Sequence, residues 1–247
     1  MEFPDSKRGV LVKTTLVDFP GRVACAFFFA GCNLRCPYCY NRGLVLGEPQ
    51  DDYVTIPQLI QHLEKRKNVL SGLVLSGGEA LLQPELPALI AHAKKTGYAV
   101  KLDTNGMLPH RLQELISAPQ TTPDYIALDV KTSPERYCEL HFCPQSEGTA
   151  KHASAVAKNL LKSIEILSAL PPERREFRTV LVPPLVSAHE LEKIARCLPK
   201  NAAWFLSSFR NENCVNPAYE KILPYSPAEE AELLCLAKGI VSAAALR

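Results

Sequence analysis

Cys32, Cys36 and Cys39 follow one another as C-x3-C-x2-C, close enough for three thiolates to converge on one metal centre. Soft sulfur ligands of this kind favour zinc or iron–sulfur. Structural zinc calls for a fourth protein ligand, usually from a second Cys or His pair, and none follows nearby. His62 stands alone in an amphipathic segment, and Cys25 belongs to the apolar run before the loop. A 4Fe–4S cluster held by three protein thiolates keeps one iron open to an outside ligand, which suits this incomplete set better.

Three other polar groups stand at the ends of short apolar runs: Ser76-Gly77-Gly78-Glu79, Asp103-Thr104-Asn105-Gly106 and Asp129-Val130-Lys131. Paired glycines let backbone approach a ligand closely, with Glu79 adding a carboxylate. Gly-Gly and Asn-Gly also serve as plain turns. At strand spacing Asp129 and Lys131 face one side, a pairing that suits a zwitterion as well as a simple ion pair.

The elements that must carry these groups alternate. Strands are expected over 23–30, 72–76, 99–103, 124–129, 177–182 and 203–209, each short and apolar on nearly every residue, as strands buried on both faces of a parallel sheet read. Helices are expected over 84–96, 109–117 and 150–170, with a C-terminal one at about 226–246. Capping-box signals stand at Thr55–Gln58, Ser187–Glu190 and Ser226–Glu229. Six βα units in one domain of residues 1–247 suggest an open or incomplete (β/α) barrel, while pattern alone also admits a doubly wound sheet. Either way the site belongs at the strand C-terminal ends, beginning with the loop 31–41.

The 247 residues are 47% hydrophobic and 22% charged, and 28 Lys+Arg against 26 Asp+Glu leave a formal charge of +2. That balance, without a basic block, argues against nucleic acid. The charged N-terminus lacks the apolar core of a signal peptide, and no stretch approaches the ~20 apolar residues of a membrane span. A cytoplasmic protein without membrane association is expected. Nine cysteines, odd in number and clustered, speak for metal or cluster chemistry over structural disulfides. Cys138 and Cys143 are too few for a second cluster, and Cys197, Cys214 and Cys235 read as free buried thiols.

In this order and at these intervals the motifs resemble the radical S-adenosylmethionine (SAM) superfamily, whose signatures are the C-x3-C-x2-C loop and a glycine motif after the second strand. TTLVDFPG (14–21), CPYCYN (36–41), LDTNG (102–106) and DVK (129–131) look like glycyl-radical-enzyme activases. FRTVLVPP (177–184), WFLSSFR (204–210) and NPAYEKILPYSPAE (216–229) are similar to the activating proteins of anaerobic ribonucleoside-triphosphate reductase. The resemblance implies a partial (β/α)6 TIM-type barrel. It implies a 4Fe–4S cluster on Cys32, Cys36 and Cys39, with SAM on the fourth iron and Tyr38 against its adenine. Gly77, Gly78 and Glu79 would contact the SAM amino group, and Asp103, Asp129 and Lys131 would complete the methionine and ribose end. Lys131 would meet the carboxylate and Asp129 the ammonium or a bound cation.

The activity implied is reductive cleavage of SAM to a 5′-deoxyadenosyl radical that makes a glycyl radical on a partner enzyme. A flavodoxin or ferredoxin would supply the electron. Two positions depart from the family pattern: Tyr40 stands where His is usual, removing an ionisable donor near the cluster, and Ala80 stands where Pro is usual.

Overall fold

The computed structural model describes residues 3, 5–140 and 150–247. Cys143 lies outside the described residues. The chain divides into two compact units: residues 1–33, 43–104 and 110–126 form the first, and residues 34–42, 105–109 and 127–247 the second.

In the first unit, β1 (Lys7–Thr15) lies antiparallel to β2 (Ala24–Phe29) and to the short β3 (Val54–Thr55). β4 (Gly72–Gly77) pairs parallel with β2 from Ala24↔Gly72 to Phe29↔Gly77, and β5 (Ala99–Thr104) pairs parallel with β4. The order is β3-β1-β2-β4-β5. β2 and β4 are the strands expected from apolar runs and are buried over most of their length. β1 was not expected. Its KRGVLVKTT is polar on half its residues because much of the strand stays exposed.

Four helices belong wholly or mainly to this unit: α1 (Arg42–Leu46), α2 (Ile56–Arg66), α3 (Leu86–Lys95) and α4 (Pro109–Ile116). α2 starts on a complete capping box, with the Thr55 hydroxyl accepting from Gln58 N–H and the Gln58 side chain accepting from Thr55 N–H. It buries Ile56, Leu59 and Leu63, one helical stripe.

β6 (Tyr125–Asp129) begins in the first unit and ends in the second. The second unit contains α5 (Ala150–Ser168), β7 (Arg175–Leu181), α6 (Ala188–Cys197), β8 (Trp204–Ser208), α7 (Pro227–Ile240) and β9 (Ala244–Leu246). β7 pairs parallel with β8, and β8 with β9. The Trp204 indole donates to Thr179 Oγ1 at 3.0 Å, tying β8 to β7 inside the core.

Three expectations need correction. The last helix stops at Ile240 instead of continuing to 246, and Ala244–Leu246 join the sheet. Ala and Leu carry helical propensity, but pairing with β8 outweighs it. At Ser187 no capping box forms, because its hydroxyl turns to the Glu190 carboxylate instead of the backbone. Cys235 is exposed and Cys197 half-buried, so of the three free thiols only Cys214 is a core residue.

Candidate functional site

The first unit brings the end of β2 against the end of β4. Gly78 N–H donates to Phe29 O at 2.8 Å, and Glu79 N–H to Gly31 O at 2.9 Å. A Cβ on Gly77, at φ +112°, would stand 2.3 Å from Phe29 N, and one on Gly78 would stand 2.0 Å from Gly31 O. Only glycine permits this approach, so the pair is explained first by the backbone it packs on, that of the segment leading into Cys32.

Glu79 is 1% exposed. Its Oε1 accepts from Leu81 N–H at 3.0 Å and from Thr104 Oγ at 2.8 Å, which caps the turn Ala80–Leu82 and ties the end of β4 to the end of β5. One residue earlier on β5, Asp103 meets Lys101 Nζ at 2.5 Å through Oδ1 and accepts from Ser76 Oγ at 3.1 Å through Oδ2. Lys101 is almost wholly buried and holds the carboxylate in place.

In the second unit, Asp129 stands between two cations. Its Oδ1 lies 2.7 Å from Arg178 Nε and its Oδ2 3.2 Å from Lys131 Nζ. Burial alone would raise its pKa, but Arg178 and then Lys131 outweigh that and carry it down to about 2. Burial likewise works against the Lys131 charge, yet Asp129 in front of it holds the ammonium well above its ordinary range. Tyr137, fully buried, accepts from Lys131 N–H at 2.8 Å and donates to Asp129 O at 3.1 Å. One hydroxyl therefore braces the backbone on both sides of Val130.

Cys36, Tyr38 and Cys39 belong to this second unit and Cys32 to the first. Within neither unit do three or more His, Cys, Asp or Glu side chains of the described residues stand as a ready-made metal site. Cys39 N–H donates to Cys36 O at 3.1 Å, closing a turn between the second and third cysteines. Tyr38 is buried inside that turn, edge-on to Phe209 with ring centroids 6.4 Å apart. Its hydroxyl finds no hydrogen-bond partner among the described residues, and burial, only partly offset by Lys131, keeps the phenol protonated. A buried donor of this kind usually has a partner, so a bound ligand bearing polar groups fits here. Cys25, by contrast, lies inside β2, where burial pushes its thiol up to about 12. It is an inert core residue, apart from the loop cysteines.

Sequence reasoning missed Lys101, Thr104, Tyr137 and Arg178. Lys101 was findable, since it shares a strand face with Asp103 at the same i, i+2 spacing that paired Asp129 with Lys131. Arg178 shows as a charge inside an apolar strand. Nothing local marks Tyr137.

Residues 27–196 match the model of the radical SAM superfamily, and the chain belongs to it. Among curated proteins it is similar to MJ1227, a proposed glycyl-radical enzyme activating enzyme of Methanocaldococcus jannaschii. The two are 27% identical over 238 residues, 96% of this chain and 94% of that one. It is 34% identical to the pyruvate formate-lyase 1-activating enzyme of Escherichia coli K12 over 124 residues, 47% of this chain and 48% of the relative. Among solved structures, QueE from Escherichia coli matches with a TM-score of 0.52 at 13% identity, covering 97% of this chain and 92% of that one. The fold is the parallel-dominated α/β fold of radical SAM enzymes, and the chain is such an enzyme, using a 4Fe–4S cluster and SAM. No helix among the described residues is long and apolar enough to cross a membrane.

Proposed function

We propose that this protein is a glycyl-radical-enzyme activase whose partner is anaerobic ribonucleoside-triphosphate reductase. The observation that carries the activase reading is similarity to MJ1227 along nearly the whole of both chains, beside the local match to the pyruvate formate-lyase activase. The choice of partner rests on the segments 177–184, 204–210 and 216–229, which resemble the reductase-activating proteins.

Cys32, Cys36 and Cys39 would hold the cluster. When bound, cluster and SAM supply reductive carbon–sulfur cleavage and a primary carbon radical able to take hydrogen from a glycine Cα. The rest falls to the chain. Lys131, kept cationic by Asp129, meets the carboxylate of the methionine end. Asp129 stays ionised for the ammonium because Arg178 and Lys131 flank it. The Tyr38 hydroxyl offers a buried donor toward the nucleoside. Asp103 is oriented by Lys101 and Ser76 for the ribose. Gly77, Gly78 and Glu79 would contact the SAM amino group, with Glu79 also fixing the turn after the glycines. A flavodoxin or ferredoxin is the proposed electron donor.

The test uses anaerobically reconstituted, reduced protein with SAM and either purified anaerobic ribonucleotide reductase or pyruvate formate-lyase. A glycyl EPR doublet on the reductase supports the proposal. A doublet only on the lyase transfers the activity to that partner. Formation of 5′-deoxyadenosine with no doublet on either enzyme sinks the activase reading and favours a small-molecule substrate. Full SAM cleavage by Cys36→Ala would contradict the ligand assignment.

A further inference from the structure

The turn between the second and third cysteines has a partner within the second unit. Its three consecutive carbonyls, of Pro37, Tyr38 and Cys39, each meet a donor from residues 214–216. Asn216 N–H donates to Pro37 O and Val215 N–H to Cys39 O, both at 2.9 Å. The buried Cys214 thiol lies 3.8 Å from Tyr38 O, slightly nearer than its other acceptors, Glu212 O at 3.9 Å and Arg210 O at 4.0 Å. The two N–H bonds have good geometry and the S–H contact is weak.

This segment is itself braced. Glu220 Oε1 accepts from Cys214 N–H at 3.1 Å, the Glu220 carbonyl accepts from Asn211 Nδ2 at 3.2 Å, and Asn216 Oδ1 accepts from Ala218 N–H at 3.0 Å. At its bend Asn213 holds φ +52°, the one non-glycine positive φ among the described residues. Asn tolerates that conformation better than most residues, and the surrounding bonds maintain it.

The peptide bonds here are trans, so each carbonyl points opposite to the N–H of the next residue. With the Pro37 and Cys39 carbonyls turned to residues 214–216, the N–H groups of Tyr38 and Tyr40 turn to the other side of the loop. Amide donors around cluster sulfurs are a principal determinant of the reduction potential of an iron–sulfur centre.

We propose that residues 213–220 form a positioning strap for the Cys36–Cys39 turn, braced by Glu220, which sets the potential and the retention of the cluster by fixing these peptide orientations. The inference rests on the reading that Cys36 and Cys39 are cluster ligands. It gives Tyr40 a part through its backbone amide, while its ring stands 56% exposed.

The experiment compares cluster-loaded wild type with Glu220→Ala, which loses the acceptor for Cys214 N–H, and Glu220→Gln, which keeps a carbonyl acceptor. Glu220 is exposed, so both variants should fold. Val215→Pro, which removes the donor to Cys39 O, is the second probe. Midpoint potential is read by redox titration with EPR, amide exchange at residues 38–40 by mass spectrometry, and cluster retention by iron loss to a chelator. In Glu220→Ala and Val215→Pro, exchange should rise on the order of tenfold, with a shifted potential and faster iron loss. Glu220→Gln should stay near wild type. Unchanged potential in both Glu220→Ala and Val215→Pro overturns the inference, even with faster exchange, because the strap would then be a structural brace alone. A wild type that takes up no iron contradicts the ligand reading beneath it, a failure visible before any variant is compared.

Discussion

Glu79 and Asp129 are both carboxylates just after or at the end of a buried strand, one in each unit, and they meet partners of different kinds. Glu79 is sealed from solvent and accepts from an amide and a hydroxyl, so it holds two strand ends together. Asp129 keeps 30% of its side chain exposed and is flanked by two cations, one on each oxygen. A carboxylate at a strand end can therefore brace backbone or sit among charges. The partners around it decide, and those partners come from other strands: Thr104 for Glu79, Arg178 for Asp129.

The comparison breaks most readily at Glu79. Glu79→Ala leaves Leu81 N–H and Thr104 Oγ without the acceptor they share and should lower the unfolding free energy by about 3 kcal/mol. Glu79→Gln, which keeps a carbonyl oxygen, should lose about 1 kcal/mol. Denaturant titration measures both, and an unchanged midpoint for Glu79→Ala would refute the bracket role. At the other carboxylate the larger effect should be on binding. Lys131→Met should weaken SAM binding on the order of tenfold by calorimetry, from the loss of one charge-assisted contact. A stability loss without an affinity loss would make the Asp129 group a structural brace.

Acid titration sharpens the contrast further. The folded-state pKa of Asp129 is depressed to about 2 from the ordinary 3.8, so its stabilising contribution is present above the unfolded value. That contribution falls away as pH drops through the window between the two. Asp129→Asn should flatten the decline of stability between pH 4 and pH 2, followed by equilibrium unfolding. The smallest change expected is in Tyr137→Phe. Losing the hydroxyl that bridges Lys131 N–H and Asp129 O should cost about 1 kcal/mol, and faster exchange at the Lys131 amide would accompany it.

The cysteine loop, the glycine pair and the six apolar strands were legible because each is a local pattern, set by spacing or by near-continuous apolar character. β1 was not, since a partly exposed strand with many polar residues carries no such pattern. β9 was read as helix because Ala244-Ala245-Leu246 favours helix locally, and only its pairing with β8 makes it a strand. At the site the same division holds. Asp129 and Lys131 could be paired from their i, i+2 spacing, whereas the tie between Glu79 and Thr104 spans 25 residues.

By itself, then, the sequence determined the chemistry on offer: three thiolates in one loop, glycines where backbone must come close, and opposite charges at a strand end. Tertiary structure alone decided which partners those groups meet. It set Glu79 against Thr104, Asp129 between Lys131 and Arg178, and residues 214–216 along the carbonyls of the cysteine turn. The physical reason is range. Residue type and short spacing act within one element, but burial, charge pairing and hydrogen-bond satisfaction depend on neighbours that only folding brings together.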